Sequence, residues 1–158
     1  MRSCSDVHNY LLEQGVAHEI VHLPAPSTTA KKAANLLGVS LPEVCKSLVF
    51  NTDKGPVLAL IPGDLQASPR LLRAALSCRR ATLAKADEVR ELTGYRPGAV
   101  PPCGLALDMP VAADERLRET DVVYCGGGTS TTMLKIRSAD LIAVLGARVA
   151  LIADHPEE

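Results

Sequence analysis

Three places in this sequence could do chemistry. Lys46 lies in the apolar run VCKSLVF, residues 44–50. Gly126, Gly127 and Gly128 follow the run DVVYC, residues 121–125. Residues 93–104 read TGYRPGAVPPCG, with three glycines and three prolines in twelve positions. An unpaired ammonium is costly to bury, so Lys46 must reach solvent, pair, or meet an anionic ligand. Glycine lets a ligand lie against bare backbone, and proline stiffens a loop while removing a donor. The N–H groups left in such loops can be aimed at a substrate oxygen. Each place also has a purely structural reading. Lys46 can be a strand-end lysine with its head in water. Residues 93–104 can be a rigid corner between a helix and a strand. The three glycines can be a hairpin or a bulge.

The familiar catalytic devices are missing. A phosphate-binding Walker loop needs Lys-Ser/Thr after its last glycine, and here Thr129, Ser130, Thr131 and Thr132 follow. A dinucleotide fingerprint needs a third spaced glycine and then a helix. Thr131 is not glycine, and the pattern after it is that of a strand. The histidines are His8, His18, His22 and His155, so none falls in either glycine-rich stretch. A Ser–His–Asp or Cys–His device would have to borrow from the termini. His18 and His22 lie four apart on an expected strand, a poor metal pair. The five cysteines are scattered, and Cys45, Cys78 and Cys125 read as small core residues. No metal or cofactor is expected. An enzyme built this way works by positioning and by backbone donors. Its substrate would offer a carbonyl to polarise, with a phosphate or ribose nearby.

The elements that must position these residues follow from periodicity and punctuation. A helix is predicted over residues 5–14 with Gly15 as its stop, then a strand over 17–23 ended by Pro24 and Pro26. Ser27 or Thr28 caps a helix through Leu37, closed by Gly38. Pro42 starts a short turn. A strand over 44–51 pairs through Asp53-Lys54-Gly55 with a return strand over 57–61. With a period of two, Lys46, Leu48 and Phe50 share one face. Ser68-Pro69 opens a helix to about Leu76, and 80–83 is a short strand. Asp87 caps a helix ending at Gly94. Strands are expected over 105–109, 121–125, 132–136 and 148–153, with a helical turn at 114–118 and a helix capped by Ser138 and ending at Gly146. Residues 1–4 and 154–158 should fray. Strict β–α alternation is absent, because two hairpin-like pairs interrupt it. The expectation is an α+β fold: one domain over 1–158, with a central mixed β-sheet, partly barrel-like, surrounded by helices.

The totals fit that picture. The chain has 158 residues, enough for one domain with a sizeable core. It has no Trp, one Phe and three Tyr, so the core is aliphatic and stacking platforms for single-stranded nucleic acid are not supplied. The net charge is −1 with no polybasic run, which argues against clamping many phosphates and leaves room for contact with one RNA end. The first ten residues are not a signal peptide, and no apolar run approaches membrane-spanning length. A cytoplasmic protein with free thiols and no membrane contact is expected.

Taken in order, VCKSLVF, TGYRPGAVPPCGLALD and VVYCGGG resemble the YbaK/prolyl-tRNA synthetase editing-domain family over nearly the whole chain. The resemblance implies a freestanding trans-editing aminoacyl-tRNA deacylase. It would hydrolyse the ester of mischarged tRNA, such as Cys-tRNA(Pro) or Ala-tRNA(Pro). Lys46 falls on the family's functional lysine, which contacts the terminal adenosine. Gly98, Ala99, Val100, Pro101 and Pro102 fall on its G-x-x-x-P loop, whose backbone positions the ester carbonyl. The resemblance therefore gives Lys46, Gly98 and Pro102 catalytic roles. It gives Ala99, Val100, Pro101, Gly126, Gly127 and Gly128 substrate-binding roles, with Ser47 a further hydrogen-bonding candidate. Catalysis is implied to be substrate-assisted, with water as nucleophile. The chain departs from the family pattern at Ala99 and Pro101, and it has no histidine near the loop's end. The implied partner is the tRNA acceptor end, presented by a synthetase or an elongation factor because the chain's charge is weak. The sequence carries no signal of oligomeric state. Two alternatives stand beside hydrolysis. One is a non-catalytic module binding a nucleotide or aminoacyl-adenosine. The other is release of Cys or homocysteine by attack of its own thiol on the ester.

Overall fold

The computed structural model describes residues 1–156. The central hairpin organises it. Strand β2 (Val44–Thr52) turns at Asp53 and Lys54 into β3 (Gly55–Pro62), in the register Lys46↔Ile61 and Thr52↔Gly55. Gly55 takes φ +112°, which only glycine adopts without strain. The Thr52 hydroxyl closes the turn, donating to Gly55 O at 2.7 Å and accepting from Lys54 N at 3.1 Å. β3 is apolar throughout its second half and is buried on both faces. Leu58 and Leu60 join the larger core with Val49, while Ala59 and Ile61 join a second core with Phe50, Leu72 and Ile152.

The other strands flank this hairpin. β1 is Glu19–His22, β5 is Ala81–Leu83, β6 is Val111–Asp114, β7 is Val122–Gly126, β8 is Thr132–Arg137 and β9 is Arg148–Ala150. The order across the sheet is β1-β8-β7-β2-β3-β6-β9, and β5 also pairs with β2. The β2–β7, β3–β6 and β6–β9 pairs are parallel, and the rest of the sheet is antiparallel. Two short strands, β4 (Gln66–Ala67) and β10 (Ala153–Asp154), form a separate pair. Among the described residues five helices pack around them: α1 (Cys4–Glu13), α2 (Ala30–Leu37), α3 (Pro69–Leu76), α4 (Ala86–Thr93) and α5 (Ser138–Leu145). The fold is α+β with a mixed sheet, as expected. No described helix is long and apolar enough to cross a membrane.

Several local expectations are corrected. Residues 105–109 form no strand. Ala106 N and Leu107 N instead donate to Thr93 O and Leu92 O at the end of α4, and the ladder begins at Val111. Thr29, not Ser27 or Thr28, caps α2, accepting from Lys32 N. α4 starts behind Lys85, whose N–H is held by Glu88, rather than behind Asp87. Ser138 is the first residue of α5, and its hydroxyl donates to Thr120 O at 2.6 Å. The N-terminus is not frayed. Arg2 N donates to Gly94 O, and Ser3 and Asp6 form a capping box for α1. At the other end Asp154 pairs with Gln66, and residues 157–158 lie outside the described residues.

The strand expected over 148–153 splits in two because Asp114 takes its middle. Asp114 is fully buried. One carboxylate oxygen accepts from Ile152 N and Ala153 N, both at 3.0 Å. The same carboxylate receives Arg116 through Nε at 2.8 Å and Nη2 at 3.0 Å, and Arg116 Nη2 also donates to Ala153 O. Burial alone would raise this carboxyl's pKa, but the hydrogen bonds from Arg116, Ile152 and Ala153 outweigh it and hold the pKa below the usual range. A depressed folded-state pKa stabilises the fold at pH above the unfolded value of about 4, and that share is lost as pH falls through the folded value. Asp114→Asn keeps the shape and removes the charge. It should cost about 3 kcal/mol, as expected when one partner of a buried pair is lost. Urea denaturation from pH 7 down to pH 3 should show the variant losing less stability on acidification than the unaltered chain. Parallel pH curves would refute the clamp.

Candidate active site

A cavity of about 410 Å³ opens between the start of β2, the N-terminal end of α2 and the two glycine-rich loops. That volume is typical of small-ligand sites. Lys46 reaches it from β2. Its Nζ donates to Leu65 O, just beyond the end of β3. Burial lowers its pKa, and the nearby Asp64 carboxylate partly offsets this. Ser47 Oγ and Asp64 Oδ1 are both buried without a hydrogen-bond partner. The first lies in the cavity wall and is free to receive or give a bond there.

The opposite wall is main chain. Gly98 sits at φ +84°, and a Cβ there would meet Thr28 Cβ and Thr28 O at 3.0 Å. Loop 93–104 therefore leans on the residues that lead into α2. Tyr95 anchors the loop from inside, buried, with its hydroxyl donating to Gly104 O at 2.7 Å. The second loop meets the first backbone to backbone. A Cβ on Gly126 would fall 2.4 Å from Val100 O, and Gly128 N donates to Ala99 O at 3.0 Å. The segment before α2 joins them, since Ser27 N donates to Ser130 O and Leu23 N to Thr131 O, each at 2.7 Å. In loop 93–104 the Ala99 N–H is taken by Arg96 O, whereas those of Gly98 and Val100 donate to no group among the described residues.

The cavity brings together Lys46, Ser47, Gly98, Val100 and Gly126. It does not receive Ala99, Pro101, Pro102, Gly127 or Gly128 on its wall. Ala99, Pro101 and Pro102 are buried in the body of the loop. Gly127 lies tight against the Thr132 backbone, and Gly128 against Ser3, Cys4 and the Tyr95 ring. Sequence reasoning missed Asp64, the Leu65 carbonyl and the residues Ser27, Thr28 and Thr29, which share the lining with Lys31. Asp64 had one signal: it lies just beyond the end of the strand paired with the Lys46 strand.

Two buried cysteines are poorly suited to act as nucleophiles. Burial pushes the Cys103 thiol up to about 12. Cys125 is also pushed up, by its hydrogen bond with Cys45 and by burial. His8 and His18 face each other at 2.8 Å, and neither lines the cavity. Among the described residues no three His, Cys, Asp or Glu side chains cluster to hold a metal ion.

This geometry has counterparts. The family model of the aminoacyl-tRNA editing domain matches residues 24–144. The chain belongs to that family. It is 32% identical over 127 residues to the proline–tRNA ligase of Citrifermentans bemidjiense, covering 77% of this chain and 22% of the ligase. The editing domain thus spans about a fifth of the length of the ligases it matches. It is 26% identical over 140 residues to the uncharacterized protein YwhH of Bacillus subtilis, covering 88% of both chains. Among solved structures, one proposed to be a trans-editing enzyme for prolyl tRNA synthetase superposes with a TM-score of 0.90. It is 33% identical, and the match covers 98% of each chain.

The contact between the two loops sets the shape of the editing domain's cavity, and it can be tested directly. Gly126→Ala introduces a Cβ against a carbonyl that cannot turn away. Overpacking of this kind costs about 1–3 kcal/mol, or several degrees of melting temperature for a chain of this size. Thermal melts should show that loss. If the Gly126 variant retains its full melting temperature, the two loops are not in contact.

Proposed function

We propose that the protein is an aminoacyl-tRNA deacylase acting in trans on mischarged tRNA. One observation carries this reading: an ammonium and two stretches of bare main chain face one cavity whose lining contains no histidine. Such a site is equipped to hold a polarised ester, and it lacks a side-chain base of the usual kind. Lys46 receives the terminal ribose and phosphate of the acceptor end. The unpaired N–H groups of Gly98 and Val100 are the donors available to the ester carbonyl oxygen, which gains negative charge when water adds. The bond from the acyl carbon to the ribose oxygen then breaks. The ribose keeps that oxygen with a proton from the attacking water, and the amino acid leaves as the free acid. Proton transfer goes through groups of the substrate itself. Ser47 Oγ, unpartnered in the wall, is available to the bound amino acid or ribose.

The substrates we propose are tRNAs for proline carrying a wrong, small amino acid, Cys-tRNA(Pro) or Ala-tRNA(Pro). The similarity to ligases for proline supports this choice. A synthetase or elongation factor would present the substrate.

The experiment is a panel of mischarged tRNAs incubated with the protein, followed by mass spectrometry of the released product. Free amino acid should appear from at least one tRNA(Pro) species. Lys46→Ala should lower kcat/KM on it by about a hundredfold while the melting curve is kept, in line with loss of a charged contact to the reacting group. Nucleotide binding without turnover would favour a binding module, and a cyclic thiolactone product would favour release by the substrate's own thiol. Full activity in the Lys46 variant would remove the lysine from the mechanism.

A further inference from the structure

The chain's near-neutral charge is unevenly placed. Residues 65–86 hold five of its seventeen cations, Arg70, Arg73, Arg79, Arg80 and Lys85, and none of its eighteen carboxylates. The fold gathers these residues. α3 carries Arg70 and Arg73 and packs on β5, and β5 lies along the far half of β2, pairing Phe50 to Thr52. Arg79 and Arg80 sit at the tip. Asp53, in the turn between β2 and β3, accepts from Arg79 N at 2.8 Å and Arg80 N at 3.1 Å. Those two bonds fix their backbone and leave both side chains exposed, next to the exposed Lys54. None of these six cations takes part in the four ion pairs among the described residues.

Like charges gathered in one region repel each other, and the Asp53 carboxylate beside Arg79 and Arg80 offsets only part of them, so an excess of cations of this kind is an electrostatic footprint for phosphates. Its position agrees with the cavity. Strand β2 carries Lys46 near its start and meets β5 from Phe50 onward. At about 3.3 Å per residue, Lys46 and Asn51 are about 17 Å apart along the strand. α3 begins four residues beyond the carbonyl that holds the Lys46 ammonium.

We propose that the α3–β5 face, with Arg79 and Arg80 at its tip, binds the sugar–phosphate backbone of the duplex arm of the RNA whose 3′ end enters the cavity. The proposal rests on the deacylase reading for the identity of the RNA, but its test needs no turnover. The recognition is of phosphate, so it positions the arm without reading its bases.

The test is fluorescence anisotropy with a labelled, uncharged RNA hairpin bearing a single-stranded 3′ overhang, titrated with the full chain at several salt concentrations. Arg79→Glu/Arg80→Glu should weaken binding by about tenfold or more and flatten the log–log salt slope by about two, one for each phosphate left without its arginine. Arg118→Glu/Arg148→Glu makes the same charge change at two exposed positions elsewhere and should alter affinity by less than about threefold. Melting curves confirm that both variants are folded. Equal losses in the two variants would reduce the effect to net charge and overturn the proposal. Failure of the unaltered chain to bind the hairpin would also overturn it. So would an unchanged hairpin affinity in the Arg79/Arg80 variant with capture by an acidic protein abolished instead, which would assign the face to a protein partner. Loss of deacylation with hairpin binding intact would count against the proposed function alone.

Discussion

The close approach of Gly126 to the Val100 carbonyl is the constraint on which the site depends. Any side chain at position 126 would occupy the space that carbonyl fills. Because none is there, loop 93–104 can lie directly on the end of β7, and the Gly128 N–H can bond Ala99 O behind it. Two segments about thirty residues apart in the chain thus become one wall. The segment leading into α2 closes against both, through Thr28 under Gly98 and Ser27 on Ser130. The prolines contribute by removing alternatives. Pro101 and Pro102 have no N–H to offer, so this stretch cannot join a ladder. The loop stays a loop, with the Gly98 and Val100 donors left over.

Lys46 is the counterpart of that wall. Its ammonium is half-buried, which costs free energy unless a partner compensates. The compensation is partial: one main-chain carbonyl, Leu65 O, and a neighbouring carboxylate, Asp64. An ammonium can donate three bonds, so capacity remains for an anionic or oxygen-rich ligand. Burial lowers the Lys46 pKa, and the Asp64 carboxylate partly offsets that. The unpartnered Asp64 Oδ1 and Ser47 Oγ show the same incompleteness. Buried polar atoms are nearly always satisfied in a finished core, so their gathering here marks a place built for something else.

What the sequence made legible was local and periodic. The alternation in VCKSLVF and the turn at Asp53-Lys54-Gly55 located the central hairpin, and Gly38, Gly94 and Gly146 marked helix ends at their true positions. What it hid was set by long-range partners. Asp114 splits the last strand because it takes two N–H groups 38 and 39 residues away, which no periodicity reports. Residues 105–109 have a strand-like composition, but their N–H groups go to the end of α4. In the site, the glycine and lysine positions could be singled out, yet which of them line the cavity could not. Gly126 and Gly128 belong to one run and are chemically identical, and only packing against Val100 on one side and Tyr95 on the other distinguishes them. Net charge was the most misleading summary. A total of −1 conceals a 22-residue stretch without a single carboxylate.

That segregation bears on how a site with few catalytic side chains could work at all. In the proposed deacylase, backbone donors and the Lys46 ammonium would supply the chemistry, and the rate would depend on holding the reacting carbonyl within a few tenths of an ångström of them. A cavity with apolar walls, here including Ala33, Leu41, Val44 and Met133, discriminates ligands by size, and one methylene is worth only about 1–3 kcal/mol. Neither the wall nor the lysine can fix the direction from which a large polyanion arrives. Cations placed well away from the reacting atoms can, because binding energy gained there orients the remote end. Such a division of labour lets the cavity stay small, with Lys31 and Lys46 as its charged lining, while the rest of the surface keeps its acidic excess.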